Sequence, residues 1–110
     1  MRGVRSQVSA VPAHVLLETY SVLTRVQDPY YMSGKDVARA LDGLGLEVIG
    51  LPESRQVELV ATLAAADVDG GAVYDGLVGS TALHHDVELI TRDRRARSTY
   101  DALGVRYRLI

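Results

Sequence analysis

Val87-Glu88-Leu89-Ile90-Thr91-Arg92-Asp93 is a short apolar run that stops on Thr-x-Asp, and its reading decides the fold. Residues Glu88 to Thr91 read as a strand. A carboxylate just past the carboxyl end of a strand sits where open α/β sheets bind ligands. Immediately upstream, Tyr74-Asp75-Gly76-Leu77-Val78-Gly79-Ser80-Thr81-Ala82-Leu83 reads as a helix, to about His85, with an acid in its first turn. Two acids delivered by adjacent elements point to a metal site.

Working outward, strands and helices alternate. A short helix to about Leu103 and a last strand, Val105 to Leu109, follow Asp93. Asp69-Gly70-Gly71 is a turn. Before it, Pro52 and Glu53 open a helix whose apolar side is read as Val57, Val60, Ala61 and Ala64. Leu46 to Leu51 is a strand. Ser33 is an N-cap with Asp36 three residues on, a weaker relative of the capping box. Its helix carries Val37, Ala40, Leu41 and Leu44 at helical spacing, and Gly43 and Gly45 end it. Gln7 to Val11 reads as a strand, and Pro12 as the first turn of a helix that runs to about Arg25 and is broken at Asp28-Pro29. Such alternation indicates an α/β fold with a mostly parallel sheet, and the spacing leaves room for the helical crossovers that parallel pairing requires.

The chain has 110 residues, enough for a single domain over 1–110. Apolar residues make up 47% of it, which argues against disorder. With no Phe or Trp, the core falls to Leu, Val, Ala and Tyr. The absence of cysteine excludes disulfides, thiolate zinc sites and cysteine nucleophiles. No apolar run approaches the roughly 20 residues that span a bilayer, and no signal region follows the first residues. The expectation is a soluble, cytoplasmic protein. A net charge of −2 predicts no general attraction to nucleic acid or anionic membrane. The charge is uneven, however: Arg92, Arg94, Arg95, Arg97, Arg106 and Arg108 crowd the last stretch against Asp93 and Asp101.

Each acid has two readings. Asp75 either complements the dipole of its helix, worth about 0.3–1 kcal/mol, or binds an ion. Asp93 either caps the helix that follows it or is a ligand. Glu18 lies beside Val15-Leu16-Leu17, where a half-buried carboxylate needs a metal or an Arg to offset its desolvation; the other reading is an exposed glutamate next to the stripe. His14, His84 and His85 lack the ligand spacing of a zinc site. Arg94, Arg95 and Arg97 form either a solvated surface or a phosphate-holding patch beside Asp93.

Three segments together, Glu18-Thr19-Tyr20-Ser21-Val22-Leu23-Thr24-Arg25, Tyr74-Asp75-Gly76-Leu77-Val78-Gly79-Ser80-Thr81-Ala82 and Leu89-Ile90-Thr91-Arg92-Asp93-Arg94-Arg95, resemble PIN-domain ribonucleases. The chain looks most like the VapC-type toxins of bacterial toxin–antitoxin pairs. The resemblance implies a three-layer α/β/α sandwich, acids gathered around Mg²⁺ or Mn²⁺, and endonucleolytic cleavage of RNA. Glu18, Asp75 and Asp93 match the family's acids, and Thr91 the small hydroxyl residue beside them. Arg92, Arg94 and Arg95 are then candidates for RNA phosphate contacts. The family also implies a homodimer and a cognate antitoxin, with DNA contacted only through the antitoxin complex. Its first strand, ending in Asp, and the helical segment after it have no counterpart. The expectation is therefore an N-terminally shortened PIN-like domain lacking the first acid. Gly76 and Gly79 stand where the family commonly has alanine. The alternative expectation is a catalytically impaired PIN-like module that binds an antitoxin or another partner. A third is an unrelated α/β interaction domain whose acids are only caps.

Overall fold

The computed structural model describes residues 8–26, 29 and 31–110. The expected strand start at Gln7, the helix stop at Asp28 and the reading of the first residues lie outside them. The chain divides into two compact units, one ending at Ile49 and the other spanning Gly50–Ile110. The described strand pairing is parallel in both, and with the helices between the strands the fold is α/β.

In the first unit, β1 (Ala10–Pro12) leads into α1 (Ala13–Arg25), followed by α2 (Gly34–Gly43) and β2 (Glu47–Ile49). Ala10, Val11 and Pro12 pair with Glu47, Val48 and Ile49. Pro12 ends the strand rather than entering the helix, with extended backbone at φ −61° and ψ 137°. The Ser33 hydroxyl accepts the Asp36 backbone N–H at 3.2 Å, the N-cap expected of it. It sets the register that leaves Val37 fully buried.

The second unit runs α3 (Glu53–Ala65), α4 (Ala72–His84), β3 (Leu89–Thr91), a 3₁₀ turn (Arg94–Ala96), α5 (Arg97–Leu103) and β4 (Tyr107–Leu109). Helix α3 does not bury the expected side. Val57 and Val60 are 75% and 69% exposed, whereas Leu59 and Leu63 pack with Leu51 in a core joined by Val68, Val73, Leu77 and Leu103. Two apolar stripes overlap on this helix. The one with the larger leucines removes more surface from water, and area decides. The Gln56 side chain donates to the Leu51 carbonyl at 2.8 Å and fixes the entry of α3.

Helix α4 is buried along Gly76, Val78, Gly79, Thr81 and Ala82. Its glycines are packing devices. A Cβ on Gly76 would stand 2.6 Å from Leu63 Cδ2, and one on Gly79 would stand 2.8 Å from Val105 Cγ2 and 3.2 Å from Tyr100 Cδ1. Each costs a helix interior about 1 kcal/mol of propensity but admits neighbours that alanine would push away.

Helix α5 stops at Gly104, whose φ of 73° suits glycine. The Val105 N–H then bonds the Tyr100 carbonyl at 2.9 Å, a Schellman closure. Val105 is thereby drawn into a second core with Ala96 and Tyr100, supported by Leu89, Leu103 and Tyr107. Beyond it, Tyr107, Arg108 and Leu109 pair with Leu89, Ile90 and Thr91.

Candidate functional site

Asp75 lies in the first turn of α4 and is half-buried. The N-cap of that helix, Gly71, offers no side-chain acceptor, so an acid in this turn also complements the dipole. At the far end, Asp86 takes φ 53° and the Val87 N–H bonds the Ala82 carbonyl at 3.0 Å. The chain turns there between α4 and β3. Asp75 stands in the first turn of α4, and Asp93 just past the carboxyl end of β3, a position where α/β sheets place ligands.

At that strand end the Asp93 carboxylate accepts the Arg95 backbone N–H on Oδ1 at 2.9 Å and caps the 3₁₀ turn. The Arg95 guanidinium lies 3.6 Å from the same oxygen. Capping is thus realised, but it occupies one oxygen of two. The Asp93 side chain is 43% exposed, and Oδ2 remains an acceptor. The Thr91 hydroxyl accepts the Asp93 backbone N–H at 3.0 Å. Thr91 therefore shapes the turn that carries the acid rather than bonding its carboxylate.

Glu18 belongs to the first unit, on α1. The expectation of a half-buried carboxylate gives way: its side chain is 58% exposed, with His14 Nε2 at 3.3 Å. One helical turn separates them, and the histidine supplies the partner that a deeper site would have required. Among the described residues, no three His, Asp or Glu side chains are grouped so as to hold a metal ion. The donors themselves are carboxylate oxygens, the type hard divalent cations take.

The basic stretch is narrower than the sequence suggests. Arg106 pairs with Asp86 at 3.1 Å and Arg108 with Glu88 at 3.5 Å. Parallel pairing of β3 with β4 brings these acids alongside, which counting charges after Thr91 misses. Arg92, Arg94, Arg95 and Arg97 are exposed. No helix among the described residues is long and apolar enough to cross a membrane.

Residues 5–102 match the PIN domain family, and the chain belongs to it. The match spans both compact units. Within that family the chain is similar to ribonuclease VapC27 of Mycobacterium tuberculosis (strain ATCC 25618 / H37Rv), 41% identical over 97 residues that cover 88% of this chain and 71% of that protein. It is likewise similar to ribonuclease VapC40 of Mycobacterium tuberculosis (strain CDC 1551 / Oshkosh), 41% identical over 99 residues, 89% of this chain and 74% of that protein. The resemblance to VapC-type PIN ribonucleases carried by the three motifs is borne out.

Proposed function

We propose that the chain is an endoribonuclease toxin, dependent on Mg²⁺ or Mn²⁺, that cuts RNA phosphodiester bonds and is neutralised by a cognate antitoxin. One observation carries this reading: the chain belongs to the PIN domain family over residues 5–102, with Asp75 in the first turn of α4 and Asp93 just past the end of β3. That both relatives are ribonucleases supports the substrate class.

Asp75 and Asp93 are the proposed ligands, with Glu18 orienting water or supporting them. Mg²⁺ is commonly held through one or two carboxylates, with waters and phosphate oxygens completing its shell. Such an ion lowers the pKa of water and neutralises phosphoryl charge. The protein's own contribution is placement. The Thr91 turn aims Asp93, the first turn of α4 aims Asp75, and Arg92, Arg94 and Arg95 hold RNA phosphates nearby. The resemblance supports a homodimer in the cytoplasm that meets DNA only within an antitoxin complex. The family match across both units supports one domain over 1–110, which predicts a single cooperative unfolding transition.

The test is cleavage of RNA by the purified chain. Cleavage that needs Mg²⁺, stops with EDTA and disappears in Asp75→Asn supports the reading; a folded protein that leaves RNA intact overturns it. A second reading, a catalytically impaired PIN-like module that binds an antitoxin or other partner, is favoured by the lack of a three-residue metal group among the described residues. It predicts co-purification with a small protein and no cleavage.

A further inference from the structure

Asp-Gly occurs three times in the chain, as Asp42-Gly43, Asp69-Gly70 and Asp75-Gly76, and there is no asparagine. The pair is chemically labile. The glycine nitrogen can attack the side-chain carbonyl carbon of the aspartic acid, because no Cβ screens its approach. A C–N bond forms, the C–O bond to the hydroxyl breaks, and the amide proton leaves with that hydroxyl as water. The product is a five-membered succinimide. Water then opens the ring at either carbonyl. One opening gives back aspartate; the other gives isoaspartate, in which the chain runs through the side-chain carbon. The cycle takes back the water it released and needs no other reactant.

The structure treats the three pairs differently. Gly43 is the last residue of α2, and Gly76 lies inside α4. There the helical ladder engages the glycine N–H, and ring closure needs a backbone rotation that the ladder forbids. Gly76 is also buried, with Leu63 against it. Asp69-Gly70 lies between α3 and α4, outside any helix, and both residues are exposed. Among the described residues the Gly70 N–H gives no hydrogen bond, and the Asp69 carboxylate has neither an ion pair nor a hydrogen bond. Nothing lies within 4 Å of where a Cβ on Gly70 would stand, so no neighbour crowds that glycine.

We propose that Asp69 is a site of spontaneous isoaspartate formation in the folded protein, while Asp75, an acid of the candidate metal site, is protected from it by its helix. The position gives the change a reach beyond the loop. Isoaspartate adds a backbone carbon between Asp69 and Gly70. Val68 and Val73, on either side, both pack against the core of Leu51, Leu59 and Leu63. The chain is thus held at both flanks, and the extra carbon must be absorbed between them. The Gly70 and Gly71 carbonyls accept the Val73 and Tyr74 N–H groups, each at 3.2 Å, so the first turn of α4 starts from the residues that shift. Isoaspartate at position 69 therefore loosens the turn on which Asp75 stands. The inference concerns the covalent chain and stands apart from the nuclease reading.

The experiment ages the purified full chain at mildly acidic pH, folded and in urea side by side, and locates isoaspartate by tryptic mapping. Trypsin puts Asp42 in peptide 40–55 and the other two pairs in peptide 56–92, where electron-transfer fragmentation separates Asp69 from Asp75. In the folded protein isoaspartate should accumulate at Asp69 at least about tenfold faster than at Asp42 or Asp75, which react only through locally opened states. In urea all three should convert at similar rates. Asp69→Glu keeps the charge on an exposed side chain but would have to close a less favourable six-membered ring. Methyl transfer from S-adenosylmethionine by an isoaspartyl methyltransferase reads isoaspartate in the whole chain, and it should fall to near background in this variant after folded ageing. Amide exchange over residues 72–76 should be faster in aged than in fresh protein. Three results would overturn the assignment: Asp69 intact in folded protein when the urea sample has converted, all three pairs converting at one rate in the folded chain, or methyl acceptance undiminished in Asp69→Glu. Unchanged exchange over 72–76 in protein rich in isoaspartate would overturn the effect on α4.

Discussion

The Thr91 hydroxyl accepts the backbone N–H of Asp93 at 3.0 Å, so one side chain fixes the turn on which the next candidate functional residue stands. Replacing it with the near-isosteric valine leaves that half-buried N–H without its acceptor, at a cost of about 1 kcal/mol. Cleavage should fall about tenfold or more as Asp93 loses its aim, while Thr91→Ser restores most of it. Initial rates on one RNA, alongside urea midpoints, separate the two effects.

Asp93 performs two tasks that a pair of substitutions can pull apart. Asn caps a helical turn about as well as Asp, so Asp93→Asn should change stability by less than about 0.5 kcal/mol. The same change removes the charge that an ion would need, and cleavage should drop about a hundredfold or more. Asp93→Ala should lose activity and, in addition, about 1 kcal/mol of capping. Equal activity in the wild type and Asp93→Asn would leave the residue a cap alone.

The two glycines of α4 should differ in their tolerance of a methyl group. At Gly79 the methyl meets Val105 and Tyr100, both buried, and overpacking of about 1–3 kcal/mol outweighs the roughly 1 kcal/mol of helix propensity gained. At Gly76 it meets only the flexible tip of Leu63 and, at 3.6 Å, Leu103. Gly79→Ala should lower the urea midpoint clearly, and Gly76→Ala little.

Among the arginines, those standing outside the ion pairs of β3 and β4 should matter most for RNA. Arg94→Gln with Arg95→Gln should weaken RNA binding and flatten its dependence on salt, by about 0.7 in log–log slope for each phosphate no longer neutralised. Arg106→Gln should do neither, since Asp86 already holds that guanidinium. Filter binding across a salt series reads both quantities.

The alternation of elements was legible because the periods of strand and helix differ, and the strand end at Thr91 and the Ser33 cap both stand where local chemistry puts them. What sequence could not rank was competition between neighbours. Helix α3 carries two overlapping apolar stripes, and only the packed structure shows Leu59 and Leu63 prevailing over Val57 and Val60. Glu18 looked half-buried because a stripe implies a cover, yet it is exposed beside His14. The ion pairs of Arg106 and Arg108 depend on strand register, which residue counting does not contain. Gly76 and Gly79 stand where the family commonly has alanine, and the side chains pressed against them are the reason the structure supplies.

That pressing has a consequence for the order in which the protein is made. A helix with two interior glycines has little tendency to form alone, and α4 gains its shape from Leu63 before it and from Tyr100 and Val105 after it. On the ribosome, Asp75 emerges well ahead of the residues that aim it. A growing chain therefore carries this acid as an idle side chain, and it acquires a fixed direction only when residue 105 has been released into solution.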